Sequence, residues 1–246
     1  MLSSLSDSFW AGRRSSGTNR PVVTNGLIMY VDAFNRDSYP GTGTTWYDIS
    51  GNSNDLTFQN EEDIQIINGQ YFRSGSLGYF DRTVGNNVPQ GNANYCIGLW
   101  ARQPYFWGNA AGLISIGGYG VPNQSNMLRI DQSITGRFQH FWWGTNEWGG
   151  DLIGVAPRVK LNKWFLVMAQ YNGNYRQLWV NGQLIVQDQP TPGAHNVTSP
   201  LIQVGRVDPY GQTQNGDVAV AFIYNRGLFP NEINRIFQTY RGRFAL

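Results

Sequence analysis

The chain has 246 residues, enough for one large domain with a sizeable core or for two small ones. Charged residues make up 14%, aromatics another 14%, and there are 30 glycines, a composition that suits short strands joined by tight turns and excludes a helical bundle or a disordered polyelectrolyte. The formal net charge is +2, with no basic block to track a phosphate backbone, so nucleic-acid binding is not expected, and with Cys96 as the single cysteine an internal disulfide and a cysteine-rich zinc site are excluded.

Residues 1–25 read as an arm. They are rich in Ser, Gly, Asn and Arg, and their aromatic anchors are Phe9 and Trp10. Either this is a loose terminus, or it orders on a partner through Phe9 and Trp10, with Arg13, Arg14 and Arg20 as ion-pair donors. The first ten residues lack the basic start and apolar run of a signal peptide, and no apolar stretch is long enough to span a bilayer. Synthesis in the cytoplasm without a secretory signal is therefore expected, and the sequons at Asn123 and Asn196 carry little meaning.

From Gly26 the pattern becomes regular, and residues 26–246 read as one domain. Residues 26–33 form a β-rich run, and residues 48–54 carry turn chemistry. Asn68-Gly69 is a two-residue hairpin signal between residues 63–67 and 70–72, because both turn positions need positive φ. Residues 94–102 alternate, with Tyr95, Ile97, Leu99 and Ala101 on one face and Cys96, Trp100 and Arg102 on the other. Residues 138–143 predict another strand. Residues 164–171 are apolar on both faces, as a central strand should be. Asn172-Gly173 and Asn181-Gly182 turn this segment into strands at 175–180 and 183–187. The last strands are expected at 201–205 and 217–224. Ile233, Ile236, Phe237 and Tyr240 then fall at i, i+3, i+4 and i+7, the apolar stripe of one short helix that Pro230 can start.

The order of these motifs resembles concanavalin A-like lectin/glucanase domains of the laminin G type. The resemblance rests on residues 26–33, on Trp46-Tyr47-Asp48-Ile49-Ser50-Gly51-Asn52, on Lys163-Trp164-Phe165 with Leu178-Trp179-Val180-Asn181-Gly182, and on residues 216–228 followed by Glu232-Ile233. It runs from about residue 26 to residue 244. It implies an all-β jelly-roll sandwich of two antiparallel sheets with one short C-terminal helix. Where the family often carries a capping Ser or Thr before that helix, this chain has Phe229, so the cap is expected to be lost. The family includes lectins, adhesion modules, glycosidases and structural proteins of viruses and phages, so the fold does not decide the function.

Glycosidases on this scaffold share a Glu-x-Asp-x-Glu strand, and the four glutamates here, Glu61, Glu62, Glu147 and Glu232, show no such spacing. Glu61-Glu62-Asp63 reads as a solvated turn. His140 and His195 show no metal or triad spacing. No enzymatic activity is expected. Asp48, Ser50, Asn52 and Asn54 alternate, so their oxygens either converge on a structural Ca²⁺ or simply close a turn. The aromatic segment at 138–148, joined by Tyr105, Phe106 and Trp107, has three readings: core and sheet edge, a protein interface, or a sugar site. In the last two, Tyr105, Trp107, His140, Trp143, Asn146 and Trp148 are the ligand or partner surface.

The expectation from the sequence is a non-enzymatic structural or interaction protein, a capsid- or virion-associated protein of a phage or virus. Its partners would be other capsid or virion subunits or copies of itself. The alternative is a carbohydrate-binding lectin or adhesion module that binds glycans.

Overall fold

The computed structural model describes residues 23–106, 110–118, 125–131, 136–142, 151–153, 157–190, 195–207 and 213–246. Sixteen strands, in chain order, are β1 (Leu27–Asp32), β2 (Thr45–Trp46), β3 (Leu56–Gln59), β4 (Ile64–Ile67), β5 (Tyr71–Ser74), β6 (Tyr79–Arg82), β7 (Tyr95–Arg102) and β8 (Ala111–Gly117), then β9 (Ser125–Asp131), β10 (Arg137–Phe141), β11 (Asp151–Ile153), β12 (Trp164–Tyr171), β13 (Arg176–Val180), β14 (Gln183–Asp188), β15 (Ile202–Val204) and β16 (Asp217–Tyr224). One α-helix, α1 (Pro230–Tyr240), follows, and short 3-10 turns cover Glu61–Asp63 and Arg241–Phe244.

The strands form two eight-stranded sheets. One has the order β14-β13-β12-β7-β16-β5-β4, with β1 also beside β16; the other runs β11-β10-β9-β8-β15-β6-β3-β2. Every strand pairing is antiparallel. Sequence neighbours β7 and β8 lie in different sheets, the crossover of a jelly roll rather than a meander.

The alternation read in β7 holds. Tyr95, Ile97, Leu99 and Ala101 face the core between the sheets, while Cys96 and Trp100 face a second apolar layer on the outside of the first sheet. Both faces are dry because α1 covers that outer side. Trp100 stacks on Phe237 at 5.9 Å and on Phe244 at 4.4 Å. Tyr30 of β1 shares a hydrogen bond of 2.7 Å with the Tyr240 hydroxyl. Between the sheets, Phe72 of the first meets Trp46 and Phe80 of the second at 4.8 and 5.0 Å.

Three local expectations change. Asn68 and Gly69 do take positive φ, 52° and 62°, but Ile67 pairs with Tyr71, so the hairpin loop has three residues, 68–70. Phe229 provides no side-chain cap to α1, yet the Glu232 carboxylate accepts the Phe229 N–H at 2.8 Å, which is half of a capping box. Arg226 grips the same carboxylate at 2.6 and 2.9 Å and holds it below the usual glutamate range. Finally, Val23 is already buried in the layer under α1 and its carbonyl accepts the Tyr224 hydroxyl at 3.2 Å, so packing starts before Gly26.

Candidate cavity at the end of the first sheet

Five separate stretches of chain meet at one end of the first sheet: the Glu61–Asp63 turn with the start of β4, the end of β5, the segment after β7, the segment before β12, and the segment before β16. They line an open cavity of about 370 Å³, within the range of small-ligand sites. Its polar and charged lining includes Glu62, Asp63, Arg73, Tyr105, Asn162 and Asn215.

Each is positioned by identifiable bonds. Gln103 is fully buried, and its Nε2 donates to the carbonyls of Tyr105 and Gln214 at 2.9 and 3.2 Å, pinning the segment after β7 to the one before β16. Tyr105, 46% exposed, presents its ring to solvent and donates its hydroxyl to Asn215 Oδ1 at 2.8 Å. Asn162 and Asn215 both sit at positive φ, 60° and 49°, where asparagine is tolerated better than most residues. The Asp63 carboxylate is anchored by the N–H groups of Leu77 and Gly78, at 2.7 and 3.0 Å. It lies against Gly75, where a Cβ would fall 2.0 Å from Asp63 Oδ1, so only glycine leaves room for it.

Arg73 is held from below. Asp217, 0% exposed, accepts from Arg73 Nε at 2.7 Å and from Arg102 Nε at 2.7 Å. Two cations around one buried carboxylate leave that charge fully paired. This pairing keeps the Arg73 pKa above its ordinary value. Arg102 turns its other nitrogen to the Tyr71 hydroxyl at 2.8 Å and lies over the rings of Tyr71 and Trp164, at 5.0 and 5.2 Å. Gly216 is part of the cavity wall, and beside it Gln103 Oε1 is buried with no hydrogen-bond partner among the described residues, as is Gln214 Oε1.

Of the surface residues expected from the sequence, the structure places Tyr105 here. His140 is corrected: it is completely buried and cannot meet a ligand at the surface. Strand parity explains this, because Phe138, His140 and Trp142 share the inward side of β10 and its extension. Trp142 Nε1 donates to the Tyr95 hydroxyl at 2.6 Å, and that hydroxyl meets His140 Nε2 at 2.5 Å. His140 Nδ1 lies 3.2 Å from the Gln177 carbonyl, which can only accept, so Nδ1 carries the proton and Tyr95 donates to Nε2. Burial, then the nearby Arg176, pushes the His140 pKa well below 6.5. Trp107, Trp143, Asn146 and Trp148 lie outside the described residues, as do Phe9, Trp10, Arg13, Arg14 and Arg20, on which the reading of a partner-binding arm rests.

Asp48, Ser50, Asn52 and Asn54 do converge, but on the backbone of their neighbours. Asp48 Oδ1 accepts the N–H of Tyr30 and of Ser50 at 2.8 and 2.9 Å, and Oδ2 accepts the Asn54 N–H and the Ser50 hydroxyl at 3.0 and 2.8 Å. Asn54 Oδ1 accepts the Asn86 N–H at 2.6 Å, and Asn52 and Asn54 donate to the carbonyls of Leu27 and Ile28. The set ties β1 to the following loop as a polar strut, the arrangement expected of a turn. Among the described residues no group of three or more acidic, histidine or cysteine side chains is arranged to hold a metal ion.

Sequence reasoning missed Arg73, Asn162 and Asn215; it read Glu61-Glu62-Asp63 as a solvated turn, and the segment is a turn with Glu61 and Glu62 exposed, but its place beside the cavity was not foreseen. The cavity has no linear motif, and the only local signals were the Asx residues at turn positions.

The family model described as concanavalin A-like lectin/glucanases superfamily matches residues 74–234. No curated protein sequence matches significantly. Among solved structures, the chain is similar to Trypanosoma rangeli sialidase in complex with sialic acid, with a TM-score of 0.62 and 15% identity, covering 89% of this chain and 33% of that one. It is similar to the binding domain of Paraclostridial Mosquitocidal Protein 1, at TM-score 0.62 and 16% identity over 88% of this chain and 53% of the other. A third similar structure is the HCR/D W1238A mutant, at TM-score 0.60 and 16% identity, covering 88% and 52%. At these identities the likeness is one of fold, and this chain spans between a third and about half of each of those proteins.

Proposed function

The chain belongs to the concanavalin A-like lectin/glucanases superfamily, and from that premise we propose that it is a non-catalytic carbohydrate-binding module whose site is the cavity beside Tyr105. One observation carries the reading: a half-exposed aromatic residue lines a cavity of about 370 Å³ together with two asparagines, two carboxylates and a guanidinium. A pyranose has an apolar C–H face that packs on an aromatic ring and a rim of hydroxyls that need donors and acceptors at fixed positions.

The same geometry argues against hydrolysis. A glycosidase places its two carboxylates on opposite sides of the scissile bond. Glu62 and Asp63 are consecutive residues of one 3-10 turn, and Asp63 is bolted to the wall through Leu77 and Gly78.

The test is calorimetric titration against a panel of neutral, amine-bearing and acidic oligosaccharides, with product analysis of the same mixtures. Wild-type protein should bind at least one class without cleaving it. Tyr105→Ala should weaken binding about tenfold through the lost ring contact, with its melting temperature unchanged. Failure to bind any class overturns the reading, as does binding that survives Tyr105→Ala undiminished.

A further inference from the structure

Resting on that reading, we infer that the cavity selects sugars bearing a free amine over neutral sugars, and both over sugars bearing a carboxylate. Charge makes the selection, through the groups whose charge is not already paired. Three ionisable groups of fixed sign line the cavity: Glu62 and Asp63, both acidic, and Arg73.

Arg73 is committed. Its Nε and Nη2 donate to the two oxygens of Asp217 at 2.7 and 3.2 Å, which uses one edge of the guanidinium fork. Its charge faces the buried Asp217 carboxylate, which it shares with Arg102, while its own side chain is 45% exposed. The second cation on Asp217, Arg102, is not in the lining and points to Tyr71 and Trp164. Lys163, next to Asn162 in the chain, is not in the lining either.

The carboxylates are open. Asp63 uses Oδ2 for the N–H groups of Leu77 and Gly78, while Oδ1 accepts no hydrogen bond among the described residues. Glu62 is exposed and has neither a hydrogen bond nor an ion pair among them. Glu61, on the same turn, adds a third negative charge close by. The wall is built so that the Asp63 group stays in place, since any side chain at Gly75 would occupy its position. An arriving ammonium group, a compact cation with three donors, finds two unspent acceptors. A sugar carboxylate finds the same two groups as repulsion and a guanidinium half used. The Asn162 amide and Asn215 Nδ2 remain for hydroxyls in every case, Asn215 Oδ1 being taken by Tyr105.

The experiment uses the full chain and three oligosaccharides of matched length: a glucosamine oligomer, a glucose oligomer and a galacturonate oligomer. Titrations run at low and at high ionic strength, at a pH where the amine is charged and the fold intact. The amine-bearing oligomer should bind roughly threefold or more tightly than the neutral one, the span of an exposed ion pair. High salt should shrink that preference. Glu62→Gln, an exposed and nearly isosteric substitution, should reduce it by weakening the amine-bearing oligomer more than the neutral one. A galacturonate preference overturns the inference and leaves the carbohydrate reading intact, and so does an amine preference indifferent to both salt and Glu62→Gln. Absence of binding by all three oligomers overturns both.

Discussion

Acidification probes the two buried histidines with unusual clarity, because His140 and His195 are the only histidines in the chain. Between about pH 6.5 and pH 5, carboxylates outside acidic clusters stay ionised and histidines alone titrate. His195 stacks on Trp142 with centroids 4.0 Å apart, and its Nε2 lies 2.5 Å from Asn126 Oδ1, while Nδ1 is buried without a partner among the described residues. Burial first, and then the charge of Arg176, push its pKa from 6.5 to about 3. His140 is pushed well below 6.5 by the same two causes, in the same order. In both, the folded state refuses a proton that the unfolded chain accepts. The stability they contribute is therefore present above pH 6.5 and is lost as pH falls; for His195 the loss continues until about pH 3. Each suppressed proton costs about 1.4 kcal/mol per pH unit once the unfolded histidine is protonated, so His195 alone removes on the order of 1–2 kcal/mol between pH 6.5 and 5, and His140 adds a loss in the same direction. Against the roughly 5–15 kcal/mol that typically holds a domain together, such a change is measurable. Urea unfolding followed by tryptophan fluorescence at fixed pH values across this window measures the slope directly. His195→Gln should reduce the slope even if it lowers stability at pH 7. A flat wild-type profile between pH 6.5 and 5, or a slope unchanged by that substitution, would refute the reasoning.

Asp217→Asn removes the one anion between Arg73 and Arg102 and should cost about 3 kcal/mol in chemical denaturation. Trp100→Ala empties the space against Phe237 and Phe244 and should cost about 3–5 kcal/mol, with the helix signal in circular dichroism weakening first. Asp48→Ala breaks four hydrogen bonds of the strut below β1 and should lower stability by about 2–3 kcal/mol. A chelator should leave the wild-type melting temperature nearly unchanged, whereas a large drop abolished by Asp48→Ala would show a bound cation there. Deletion of residues 2–22 should leave the melting temperature within about 2 °C of the full chain, since this Ser-, Gly- and Arg-rich stretch offers few apolar side chains to a core. A failure to fold would make that segment part of the sandwich.

Much of this architecture was written in the chain. A period of two along residues 95–101 announces both faces of β7, and the stripe at Ile233, Ile236 and Tyr240 announces a helix with one buried side. Asn181-Gly182 sets its hairpin because both residues take positive φ, 50° and 80°. These signals are legible because they depend only on backbone sterics and on residues a few positions apart. Strands β2, β3, β6, β8, β9 and β11 went unread: β2, β3, β6 and β11 are two to four residues long and become strands only when partners from elsewhere satisfy their N–H and C=O groups, while β8 and β9, seven residues each, are buried with polar residues and glycines interrupting the apolar pattern. His140 had the parity of a core residue, between Phe138 and Trp142, but its polarity pointed outward; only the three-dimensional meeting with Tyr95 and Gln177 supplies the bonds that let it stay inside. The cavity is the extreme case. Glu62, Arg73, Tyr105, Asn162 and Asn215 span more than half of the chain, and nothing local relates them. They meet because β5, β7 and β16 lie side by side, a neighbourhood created when β16 returns to pair with β7 and β5 and bring Asp217 between Arg73 and Arg102.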